Sequence, residues 1–174
     1  VLGLMINTMV ISVLLILVSY FVGMKLIGDI GITPEALTKG MESFAAMKTF
    51  LGSLTQEELF KLNAWNMLLF FTMSVTYFLI MFYSPTLFFK EKNPFKAYFV
   101  SLKDLFSKKF FTNFGLFLIL FVSYFILSIF TTLFGANVVM HFIFTLINFY
   151  YLVFVAVMVY NYYYKNFVQI NEVV

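Results

Sequence analysis

The sequence contains no cysteine, which excludes disulfides, thiolate metal sites and redox dithiols. Arginine is absent too: all eleven basic residues are lysine. The planar, bidentate clamp that many phosphate and carboxylate sites use is therefore missing. Charged residues make up only 11% of the 174 positions, and there is a single histidine. No polar stretch is long enough to enclose a core of its own, so no separate soluble domain is expected. The chain has no paired carboxylates at membrane depth, no Ser/His/Asp spacing, no glycine-rich phosphate loop and no cluster with metal-ligand spacing. From these absences we expect a protein that is not an enzyme and carries no metal and no cofactor.

Apolar residues are what the chain has in excess, at 63%, with 26 phenylalanines among them. A helix needs about 20 apolar residues to cross a bilayer, which leaves room for four crossings with polar links. The opening run has no basic n-region and exceeds a signal-peptide core, so it is read as a true span with residues ahead of Val1. The expected fold is all-α: one integral membrane domain over 1–174, with four spans at about 2–27, 62–83, 113–134 and 138–160. Two interfacial amphipathic helices, at about 34–54 and 94–109, complete it.

Local signals place the boundaries. Gly28 and Gly31 end the first span, and Thr33-Pro34 restarts a helix with threonine as cap and proline in the first turn. Leu37, Met41, Phe44, Leu51 and Leu54 then recur at three- and four-residue spacings, giving a helix apolar on one side. Thr55-Gln56-Glu57-Glu58 is a capping box opening the second span. Trp65 sits near its start, at headgroup depth. Pro85 disturbs its last turn. Asn93-Pro94 repeats the cap-and-proline device. From there Phe95, Phe99, Leu102, Leu105 and Phe106 fall on one side, with Lys96, Lys103, Asp104, Ser107 and Lys108 opposite. Phe134-Gly135-Ala136-Asn137 reads as a tight turn between spans three and four.

Charge sets the expected orientation. Ser84 to Phe111 holds six of the eleven lysines, Lys90, Lys92, Lys96, Lys103, Lys108 and Lys109, against only Glu91 and Asp104. The 28–61 excursion carries three lysines and five acids. The positive-inside bias then places the basic link and both termini in the cytoplasm of a cell membrane. The lysines read as a membrane-surface element for anionic lipid. Nucleic acid is not an expected partner, because the aromatics of this segment lie on the lipid side.

The residues able to hold a ligand gather in the opposite half. His141, Thr145 and Asn148 share a face of span four, and Asn66, Ser128 and Thr131 fall at similar depth, with Ser19, Tyr20 and Thr132 nearby. They read either as a polar pocket for a lipid-like or neutral ligand or as interhelical glue. Leu15–Phe21 also resembles Leu118–Phe125 with one residue inserted, which suggests a parallel duplication of a helix pair. Such a repeat implies a helix like 94–109 ahead of Val1.

Residues 73–165 carry a resemblance. A span, then Ser-Pro-x-Leu-Phe-Phe-Lys, Asn-Pro-Phe-Lys-Ala, and a helix ending Lys-Lys-Phe-Phe-x-Asn before another span is similar to a broad bacterial group. That group includes the membrane domain beside glycerophosphoryl diester phosphodiesterases. The serine or arginine usual at the end of the amphipathic helix is matched only by Ser101, and the 28–61 excursion lies outside the pattern. The resemblance implies a non-catalytic membrane module and transfers no active-site residue. The expected function is therefore an accessory or scaffold module that packs with other membrane subunits or with itself; the alternative is a small transporter or binding protein.

Overall fold

The computed structural model describes residues 2–134 and 137–169, with backbone alone at Pro34, Ala36, Leu37 and Phe44. Gly135 and Ala136 of the expected turn lie outside the described residues, as do the side chains of Leu37 and Phe44 in the expected stripe. The described residues are all-helical, without strands. In order they form α1 (Leu2–Leu26), α2 (Pro34–Met41), α3 (Phe44–Ser53), α4 (Gln56–Ile80), α5 (Tyr83–Phe89), α6 (Pro94–Leu105), α7 (Phe110–Phe134) and α8 (Val138–Tyr163). A π-helical turn, Tyr164–Val168, extends α8.

Four helical stretches are long and apolar enough to cross a membrane: Leu2–Leu26, Gln56–Phe89, Phe110–Phe134 and Val138–Val168. These four stretches fit a multi-pass membrane protein. The second stretch is broken at Met81 and Phe82, where α4 gives way to α5. The break lies four residues before Pro85, whose missing N–H would have bonded the Met81 carbonyl.

Several helix starts follow from local sequence. Thr55 and Glu58 form a reciprocal capping box: the Thr55 N–H donates to Glu58 Oε2 at 2.8 Å, and the Glu58 N–H donates to Thr55 Oγ1 at 3.2 Å. Asn93 accepts from the N–H groups of Phe95 and Lys96, with Pro94 in the first turn. Asn137 caps α8 in the same way through Val139 and Met140. The single helix expected at 34–54 is instead two. Ser43, with extended backbone, accepts from the Ala46 N–H and starts α3 afresh. A local N-cap wins there over a continuous apolar stripe.

The chain forms two compact units, residues 9–76 and residues 1–8 with 77–174. In the first, α2 packs on α3, and Ser19 on α1 shares a 2.5 Å hydrogen bond with Thr72 on α4. In the second, α5 packs on α6 and α8, and α7 on α8. Its core joins Phe78, Phe82, Leu105, Leu116, Tyr163 and Phe167. The Phe82 ring lies 5.3 Å from Tyr163 and 5.5 Å from Phe167, within the range where aromatic pairs add to simple area burial. The buried amide of Asn7 on α1 donates to the Tyr83 hydroxyl at 2.9 Å.

The two similar segments, Leu15–Phe21 and Leu118–Phe125, make comparable contacts, each inside its own unit. Ser19 bonds Thr72 on the next span while the adjacent Tyr20 ring lies 6.1 Å from Trp65. Ser123 bonds Tyr151 on the next span at 2.6 Å, and the Tyr124 ring lies 6.1 Å from Tyr151. A Ser-Tyr pair at matching places in two spans thus ties each to its successor.

Candidate functional site

The densest polar chemistry lies where α5, α6 and the end of α8 meet. Asp104, on the last turn of α6, accepts from Lys90 Nζ at 2.7 Å and from the Tyr163 hydroxyl at 2.5 Å, both on Oδ2. Tyr163 in turn accepts from the Thr86 hydroxyl at 2.8 Å. Only 21% of the Lys90 side chain and 16% of the Asp104 side chain is exposed, so this pair is screened far less than a surface bridge. The Lys90 ammonium also lies 5.3 Å from the centre of the Tyr163 ring and 5.6 Å from that of Phe167, a cation–π arrangement.

Asn113 anchors the other side of the same region. It is fully buried at the start of α7. Its Nδ2 donates to the Leu105 carbonyl at 2.9 Å and the Asp104 carbonyl at 3.2 Å, and its Oδ1 accepts from the Tyr162 hydroxyl at 2.8 Å. Carbonyls at a helix C-terminus have no partner within their own helix; here a side chain from the next helix supplies one. Lys109 donates to Asn166 Oδ1 at 2.8 Å. Among the described residues every buried side-chain nitrogen or oxygen has a partner. The arrangement is a closed network that joins four helices, α5 to α8, and pairs the Asp104 charge with that of Lys90.

The six lysines of the basic link therefore divide. Lys90 and Lys109 turn inward to Asp104 and Asn166, whereas Lys92, Lys96, Lys103 and Lys108 are exposed. The α6 helix presents three faces where its sequence suggests two. Ala97, Ser101 and Leu105, at four-residue spacing, are fully buried and pack the helix on its unit. Phe95, Phe99 and Phe106 are 64%, 70% and 55% exposed, so these rings face away from the protein. Small residues permit the close approach that phenylalanines would obstruct. Burial also pushes the Tyr98 phenol on α6 above its ordinary value.

The second group of candidates is only partly assembled. Asn148 Nδ2 donates to Thr131 Oγ1 at 3.0 Å and to the Phe144 carbonyl of its own helix at 2.8 Å, which engages both amide hydrogens. The Thr145 hydroxyl donates to the His141 carbonyl one turn back. His141, Thr145 and Ser128 are exposed. Asn66 is exposed on α4, in the other unit. Of the six candidates, the structure joins Asn148 with Thr131. Among the described residues no three of His, Cys, Asp and Glu are grouped to hold a metal.

Sequence reasoning did not find the Asp104–Tyr163–Thr86 chain or Asn113. A signal was present: Asp104 is one of two acids among six lysines, and Asn113 is a polar residue at a span entry. Both acquire meaning only through partners distant in sequence. Comparison with protein-family models, curated proteins and solved structures finds no match.

Proposed function

We propose that this protein is a non-enzymatic accessory or scaffold module of the cell membrane, with both termini and the α6 region cytoplasmic. Its spans pack laterally with other membrane subunits or a second copy. One observation carries this reading. Ser128, Thr132, His141 and Thr145, within or at the ends of the apolar stretches of α7 and α8, are exposed rather than packed inside the chain. Thr132 and Thr145 bond carbonyls of their own helices, but hydrocarbon offers the Ser128 hydroxyl and the His141 ring nothing, whereas a neighbouring helix offers small-residue approach and hydrogen bonds. Burial within the chain points the same way: in the first, third and fourth spans at most 11% of the most apolar window is buried, against 28% in the second.

The α6 region supports a second contact, with anionic lipid. Four exposed lysines stand beside three exposed phenylalanines, and each lysine near a charged leaflet contributes about 1 kcal/mol. The resemblance of residues 73–165 to bacterial multi-span modules is compatible with the same role. The transporter alternative would need Asn148 free to orient a ligand, and its amide hydrogens are already engaged.

Photo-cross-linkers at Ser128 and Thr145, installed in the protein in its native membrane, test the reading. We expect a discrete protein adduct from both positions, and far less from exposed Val153. Lipid adducts alone at all three positions would contradict lateral packing.

A further inference from the structure

A groove of about 430 Å³ opens in the 9–76 unit, lined by Ile16, Tyr20, Met24, Asp29, Trp65 and Leu69 together with other residues of the loop after α1. The loop is held in a fixed shape. Gly28 and Gly31 have φ of 81° and 80°, a conformation other residues rarely adopt. The Asp29 carboxylate accepts from the Gly31 N–H at 3.1 Å, and Trp65 Nε1 donates to the Gly28 carbonyl at 3.0 Å. The indole rests against Gly23, where a Cβ would come within 2.5 Å of Trp65 Cζ3 and 2.9 Å of Leu68 Cδ2. The Tyr20 and Trp65 rings lie 6.1 Å apart at 36°. Asp29 is the one charged residue in the lining.

We infer that this groove binds an amphiphile with an ammonium head and a hydrocarbon chain. Two aromatic rings and a carboxylate in one lining supply the recognition chemistry of an alkylated ammonium ion, because the ring quadrupole and the carboxylate both attract a cation that carries apolar groups. Ile16 and Leu69 continue the groove as an apolar wall for the chain. An anionic head is disfavoured by Asp29 and by the surrounding 28–61 segment, which has five acids against three lysines.

Trp65 is the only tryptophan, so its fluorescence reports on this groove without labelling. The intact protein in dodecyl maltoside micelles is titrated with dodecyltrimethylammonium, with dodecyl sulfate and with tetramethylammonium. The maltoside holds the chain length constant, so the titration reads the head. We expect a saturable change with dodecyltrimethylammonium alone. Asp29→Asn, which keeps an acceptor for the Gly31 N–H, should weaken it about fivefold, the scale of one partly exposed charge contact. Tyr20→Leu should weaken it as well. Glu35→Gln, which removes an exposed acid outside the lining, should leave it unchanged. Equal responses to the cationic and anionic amphiphiles, an Asp29→Asn response equal to wild type, or a Glu35→Gln loss as large as that of Asp29→Asn would overturn the proposal. A tetramethylammonium affinity within tenfold of the amphiphile's would also overturn it, because the chain would then contribute nothing.

Discussion

Asn113, buried at the start of α7, ties that helix to α6 and α8. Its amide satisfies two carbonyls of α6, and its carbonyl takes the Tyr162 hydroxyl. Asn113→Leu keeps the volume close but removes partners from one buried and two half-buried groups, and we expect a loss of about 2–3 kcal/mol. Asn113→Asp should be nearly as harmful despite its shape, because an ionised carboxylate accepts only and would face two carbonyls. For scale, the Glu57–Lys61 pair, 2.7 Å apart but with Glu57 75% exposed, is worth about 0.3–0.5 kcal/mol. Thermal unfolding in mild detergent orders these variants. A midpoint for Asn113→Leu no lower than that of Glu57→Gln would show that the network is dispensable.

At the scale of single elements, α7 and α8 permit a separation of glue from site. Asn148→Leu removes the amide that crosses to Thr131, so it should lower the melting temperature by the equivalent of about 0.6 kcal/mol, the usual worth of an interhelical hydrogen bond in a membrane. His141→Leu, at an exposed position, should leave the melting temperature of the isolated protein unchanged. A larger loss from His141→Leu than from Asn148→Leu would mean that the histidine is tied into the fold after all. The starts and stops of these elements were legible in the sequence because caps are local. Thr55 with Glu58, Asn93 with Pro94, and the break four residues before Pro85 are all set by residues within a turn of one another. The division of 34–54 at Ser43 was not, because an apolar stripe hid one serine cap. The faces of α6 were legible only in part. Hydrophobicity marks Phe95, Phe99 and Phe106 as apolar but cannot distinguish apolar toward protein from apolar toward lipid. In a membrane the packed face is instead the small one, Ala97 and Ser101.

For the whole molecule, the apolar runs are long enough to fix four helices able to span, which is why the architecture was readable from composition and spacing. The network around Asp104 was not readable, since Tyr163 lies 59 residues away and Lys90 14 residues away in sequence. Which lysines face outward followed from that network, not from charge count. The central claim is that Gln56–Phe89 crosses the membrane, so that the α6 lysines and the 28–61 excursion lie on opposite sides, with α6 in the cytoplasm. The absence of native cysteine makes the test direct. Single cysteines are placed at Lys103 and at Glu42, both exposed, and intact cells are treated with an impermeant thiol reagent. The account predicts labelling of Glu42→Cys in intact cells and of Lys103→Cys only after permeabilisation, as the lysine bias requires. Labelling of both positions from the same side would contradict it.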